Sequence, residues 1–92
     1  MEVNRKLILI TTQGCQSCEI ASKLTAEGVS LTQYDVELEK KDVSEVSKQW
    51  LKQYGITDFP TLLFMKNDSV KHKVTGTWPA IVIARWINVQ LK

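Results

Sequence analysis

The sequence is short of most features that would place it at once. In 92 residues it has two cysteines, two prolines, four glycines and one histidine, and 12 Lys and Arg against 10 Asp and Glu leave a net charge of +2. So little proline and glycine, beside 43% hydrophobic residues, excludes a collagen-like or low-complexity chain. Basic residues are scattered among acidic ones, so no stripe is offered to nucleic acid or to an anionic membrane, and neither partner is expected. No apolar run approaches the length that crosses a bilayer. The run Leu7-Ile8-Leu9-Ile10 near the amino end is too short for a secretory h-region, and a cytoplasmic protein is expected. Two cysteines separated by two residues make a poor framework of structural disulfides. Zinc would need four ligands, and beyond Cys15 and Cys18 the one soft candidate is His72, expected to point from a strand into solvent. No metal and no cofactor are therefore expected.

What is present fits one compact domain over residues 1–92, expected to be a monomer. Lys6 to Thr12 is a nearly unbroken apolar run without alternation, the pattern of a strand buried on both faces. After Gln13-Gly14 the period changes. Cys15, Cys18, Ala21 and Leu24 recur at helical spacing, and Gly28 is expected to close that helix. Leu31 to Glu37 reads as a second strand with Tyr34 and Val36 on one face. Asp42 and Glu45 have the spacing of a capping box, followed by an apolar stripe of Val43, Val46, Trp50 and Tyr54 that predicts a helix ending at Gly55, with Trp50 in the core. Phe59-Pro60-Thr61 opens the apolar run Leu62-Leu63-Phe64-Met65, and Asn67-Asp68-Ser69 supplies a turn before Val70 to Thr75, predicting an antiparallel hairpin. A last helix is expected after a cap at Thr77 or Trp78, with Pro79 in its first turn and Ala80, Ile83, Ala84, Ile87 and Leu91 on its buried face. The order β-α-β-α-β-β-α predicts an α/β fold: a four-stranded mixed sheet, a right-handed parallel first crossover, and helices on both faces.

Cys15-Gln16-Ser17-Cys18 carries the chemistry. C-x-x-C is a weak signal alone, but here it follows a buried strand and begins a helix. Cys15 would meet the unpaired amides and the positive end of the macrodipole, which stabilise a thiolate and lower its pKa from about 8.5. Cys18, one turn on, is close enough to bond to it. The roles follow from thiolate exchange: Cys15 attacks a target disulfide, and Cys18 resolves the mixed disulfide. Pro60 lies where a strand begins, and its peptide bond is open to either isomer on sequence physics alone.

The chain resembles the thioredoxin superfamily over nearly its whole length. The segment Tyr54-Gly55-Ile56-Thr57-Asp58-Phe59-Pro60-Thr61-Leu62-Leu63-Phe64-Met65-Lys66-Asn67 is similar to the thioredoxin stretch that runs into the strand after its cis-proline. Lys73-Val74-Thr75-Gly76 is similar to the segment closing the thioredoxin hairpin. The resemblance implies a cis Pro60 beside the Cys15–Cys18 pair, and a groove of Gly14, Phe59, Pro60, Thr61, Gly76 and Trp78 that binds extended segments of disulfide-containing proteins by main-chain bonds. It also implies a reductase as electron source.

The departures are specific. Gly14 stands where thioredoxins usually have Trp, Gln16-Ser17 where they have Gly-Pro, and Leu9, six before Cys15, where they carry a buried acid. The length is that of a glutaredoxin, yet Gly76-Thr77-Trp78-Pro79 lacks the second glycine and the acid such proteins offer glutathione. Thioredoxin reductase is therefore the expected donor, and glutathione the alternative. Glu19 and Asp58 would bring negative charge near the dithiol, opposing thiolate formation, so a moderately acidified Cys15 and a reductant are expected. A fold-retaining adaptor, or a redox sensor without turnover, is the rival reading. Trp86 falls off the main stripe of the last helix and is assigned no role.

Overall fold

The computed structural model describes residues 3–92. Its element order is β1 (Arg5–Thr11), α1 (Gln16–Leu31), β2 (Glu37–Asp42), a 3₁₀ turn (Val43–Glu45), α2 (Lys48–Gln53), β3 (Thr61–Lys66), β4 (Ser69–Thr75) and α3 (Ala80–Gln90). The strands lie in the order β2-β1-β3-β4, with β1 and β2 parallel and the other pairs antiparallel. This is the mixed four-stranded α/β sheet that the sequence predicts.

The unbroken apolar runs of β1 and β3 are explained by two cores. Leu7, Leu9, Leu62 and Phe64 face α1 and α3, where they meet Ala21, Ile83, Ile87 and Leu91. Ile8, Ile10, Leu63 and Met65 face the other way, onto Ile56 and the half-buried Trp50, Leu51, Tyr54 and Phe59. Helices thus cover both sheet faces, and alternate residues of one strand enter different cores. Trp50 is half-buried, its ring tilted on Tyr54 at 4.8 Å between centroids.

Several expectations are corrected. Gly28 does not end α1; it lies inside the helix, buried, where a Cβ would stand 2.9 Å from Ile83. The glycine is there for close approach of α3, and the helix runs on to Leu31 with the Thr32 amide donating to the Gly28 carbonyl. Residues 31–36 are accordingly not a strand. The second strand is the polar Glu37–Asp42, an edge strand that pairs with β1 alone. Such an edge needs no apolar alternation, because charged side chains guard it. The capping box at Asp42 and Glu45 forms, but it opens only the 3₁₀ turn, and a second cap, Ser47, starts α2. His72 is half-buried, with its ring 5.3 Å from Phe64 and 5.2 Å from Trp86. Trp86, despite its place off the main stripe of α3, is the hub of that aromatic cluster, which Trp78 joins at 5.1 Å.

Smaller features follow local chemistry. The β3–β4 hairpin turns on Asn67 and Asp68, both at positive φ, which suits a two-residue turn between twisted strands. Pro79 is the N-cap of α3 rather than a first-turn residue; its carbonyl accepts from the Val82 and Ile83 amides.

Charge organises the β2 edge. Lys6 lies 3.1 Å from Glu39 and 3.8 Å from Glu37, and Lys41 is 2.9 Å from Glu39. The hydrogen bond from Lys41, and then that from Lys6, hold the Glu39 carboxyl below its ordinary value of 4.5. A depressed folded pKa stabilises at pH above the unfolded value and is lost as pH falls through the folded one. These side chains are about one-third exposed, so the effect is small. Glu39→Gln is expected to unfold at slightly lower urea than the parent at neutral pH and to converge on it in acid, once pH has fallen through the lowered Glu39 value. Curves that stay parallel down to acid pH would show that the carboxylate does not support the edge.

Candidate redox site

All the residues singled out for chemistry gather at one end of the sheet. Thr11 closes β1, and the turn Thr12–Cys15 leads into α1. Asp42 closes β2 beside it, pairing with Thr11. Thr61 begins β3 opposite Ile10 and pairs with Thr75 of β4, so Pro60 and Gly76 lie side by side at the same end. The Gly76 amide donates to the Pro60 carbonyl at 2.9 Å.

Gly14 makes the entry to α1. Its φ of +69° lies in the left-handed region that favours glycine, and no atom lies within 4 Å of where a Cβ would stand. Cys15 follows as the N-cap of α1, in extended conformation, with its Sγ accepting from the Cys18 amide at 3.1 Å. The sulfur thus takes the place that a Ser or Asp oxygen fills at most helix starts. Cys15 and Cys18 are joined as a disulfide, with their Cα atoms 5.2 Å apart. Cys15 is half-buried and Cys18 only 3% exposed, so the first sulfur can be approached and the second is shielded.

A cleft of about 640 Å³ opens on the β2 side of the pair. Its walls include Gly14, Cys15, Cys18 and Glu19 with Lys40, Asp42 and Glu45. Glu19 therefore reaches the dithiol's surroundings as expected from its position. Asp58 does not line this cleft; its carboxylate accepts from the Thr57 hydroxyl at 3.3 Å, and its carbonyl from the Thr61 hydroxyl at 2.6 Å. Asp42 is held below its ordinary value by the Ser44 hydroxyl and amide. Leu9, at the place of the missing acid, is packed in the first core. Among the described residues no group of three or more His, Cys, Asp or Glu is arranged to hold a metal.

On the other side lies the cis peptide Phe59–Pro60. Pro60 and Thr61 are fully buried, and the Thr61 hydroxyl is committed to Asp58, so their side chains offer nothing to a visitor. Phe59 precedes the paired part of β3, leaving its main chain outside the ladder with β1. Trp78 is 39% exposed, its indole N–H donating to the Thr75 carbonyl at 2.8 Å and its ring edge-on to Trp86. Sequence reasoning overlooked Lys73, whose ammonium donates to the Tyr54 and Gly55 carbonyls at 3.1 and 2.9 Å and ties β4 to the end of α2. It also passed over the side-chain contact of Ser17 with Cys15, although a hydroxyl between two cysteines on a first helical turn was there to be read.

The family described as Thioredoxin matches residues 2–89. The chain belongs to the thioredoxin family. Solved structures agree in fold. Thioredoxin-2 of the malaria parasite, described as a component of its protein secretion machinery, superposes with a TM-score of 0.80 at 15% identity, covering 96% of this chain and 84% of the other. A malarial protein gives 0.79 at 15% identity, with coverage of 97% and 99%. A point mutant of thioredoxin from Halobacterium salinarum NRC-1 gives 0.80 at 20% identity, with coverage of 97% and 76%. No curated protein sequence matches the chain. Membership of the thioredoxin family and a C-x-x-C pair at disulfide distance together fit a thiol–disulfide oxidoreductase.

Proposed function

We propose that this thioredoxin-family protein reduces disulfides in other proteins by dithiol exchange, with Cys15 as nucleophile and Cys18 as resolving thiol. The observation that carries this reading is the unequal burial of two sulfurs at a helix start, Cys15 half-open and Cys18 closed. An approachable sulfur at the amide-rich end of a helix suits attack, and a shielded neighbour suits intramolecular release. Substrate is read by its backbone: the Phe59 main chain before β3 offers strand-like hydrogen bonds, with Gly14, Gly76 and Trp78 on the rim. The setting is a reducing one, which we take to be the cytoplasm, where the resting state is the dithiol. Thioredoxin reductase restores the dithiol in preference to glutathione.

The test is to supply a disulfide-bonded protein and NADPH with either thioredoxin reductase or glutathione and its reductase. NADPH consumption that needs this protein is expected in the first arm. Consumption only in the second would replace the donor, and consumption in neither would sink the carrier reading in favour of an adaptor or sensor.

A further inference from the structure

Between the two cysteines, Ser17 is exposed on the first turn of α1, and its Oγ lies 3.3 Å from the Cys15 Sγ. The same sulfur already receives the Cys18 amide at 3.1 Å. A deprotonated sulfur has no hydrogen to give, so toward a thiolate the hydroxyl can act only as donor. We propose that Ser17 is a catalytic residue of the exchange reaction, donating a hydrogen bond from Oγ to the Cys15 thiolate. The proposal rests on the reading of Cys15 as the attacking thiol and adds a group to it.

In the reaction the Cys15 Sγ anion attacks one sulfur of R–S–S–R′. The Cys15–S–R bond forms as the S–S bond breaks, and R′S⁻ leaves with the electron pair and takes a proton from solvent. Cys18 then gives its proton to solvent and attacks the Cys15 sulfur, closing the Cys15–Cys18 bond and releasing RS⁻. Two electrons have passed from the dithiol to the substrate. Ser17 keeps its proton throughout and acts only through its hydrogen bond, which is stronger to the anion than to the neutral thiol.

The charged groups around the cleft are Glu19 on α1, Lys40 and Asp42 on β2 and Glu45 on the 3₁₀ turn. None changes when Ser17 is replaced, so the variant isolates the hydroxyl. In a Cys18→Ser background, where a single thiol titrates, alkylation of Cys15 against pH should place its pKa about one unit higher in Ser17→Ala than in Ser17 protein. Ser17→Thr keeps a hydroxyl on the same carbon and should return the pKa toward that of the Ser17 protein.

Kinetics should show a crossing, because nucleophilicity rises as the thiol becomes more basic, with a Brønsted slope of about 0.4–0.5. At pH below both pKa values the tenfold loss of thiolate outweighs that gain, and Ser17→Ala should alkylate about three to four times more slowly. Above both, where each sulfur is fully ionised, it should alkylate about three times faster. A mere change of fit would slow the reaction at every pH. Coincident titrations with and without the Ser17→Ala substitution, or equal shifts in the Ser17→Ala and Ser17→Thr variants, would overturn the proposal. A Cys15 that fails to alkylate with Ser17 in place would instead remove the nucleophile reading beneath it, a result that does not depend on the variants.

Discussion

Cys18→Ser is expected to turn the protein from a carrier that releases its substrates into one that keeps them. Cys15 remains half-open at the start of α1 and still attacks, but the shielded sulfur that should free the target is gone. The mixed disulfide should then accumulate and appear on a non-reducing gel as a protein-sized adduct that dithiothreitol dissolves. Cys15→Ser should do the reverse, with turnover lost altogether and no adduct formed, since a serine hydroxyl is essentially un-ionised at neutral pH while a cysteine is partly thiolate there. The asymmetry between the two variants is the test. If Cys15→Ser forms the adduct and Cys18→Ser does not, the roles are exchanged, against the burial of Cys18 at 3% exposure. Adducts from neither would leave the pair as a closed structural bond.

The same burial pattern shows what could be read from residues alone. The spacing of Cys15 and Cys18 and the change of period after Gly14 were enough to place the dithiol at a helix start, because both depend only on neighbours in the chain. The double-sided burial of β1 was legible in Leu7 to Ile10 for the same reason. The edge strand was not. Glu37–Asp42 owes its place to pairing with Lys6–Thr11 and to ion pairs with Lys6, and partners so distant in the chain leave no period in the strand's own sequence. Val36 and Tyr34 misled by being apolar while serving as a connection: Val36 is buried in the first core, and Tyr34 carries the Arg5 guanidinium 4.0 Å above its ring. The capping box at Asp42 is a true start signal, but a cap fixes only the first turn, and the competing cap at Ser47 decides where α2 begins. Around the dithiol, the cleft toward Lys40 and Asp42 required the fold, since it joins the ends of β1 and β2.

Gly28 gives the sharpest conflict between a local rule and the packing. By helix propensity alone, alanine inside α1 should stabilise by roughly 1 kcal/mol over glycine. The packing opposes it. A Cβ at position 28 would lie 2.9 Å from both Cβ and Cγ2 of Ile83 and 3.0 Å from the Ala80 carbonyl oxygen. These atoms are next to or part of the backbone of α3, so no rotamer change removes the contact and the two helices must part. Ile83 is fully packed in the first core, and moving it disturbs Leu7, Leu9 and Phe64 at the sheet. Overpacking of a well-filled core costs typically about 1–3 kcal/mol, which cancels or exceeds the propensity gain for alanine. For valine the gain is smaller and two further methyl groups enter the same space, so Gly28→Val is expected to lose several kcal/mol. In a domain of this size each kcal/mol is about 4–8 °C, so the midpoint for valine should fall by roughly 15 °C or more, and that for alanine by less, between no change and roughly 15 °C. Calorimetry of the two variants decides it, and a midpoint for Gly28→Val equal to the parent's would mean that α3 can slide away from α1 at little cost. Because Gly28 lies toward the far end of α1 from Cys15, the thiol titration of the folded variant should stay unchanged, which separates loss of packing from loss of chemistry.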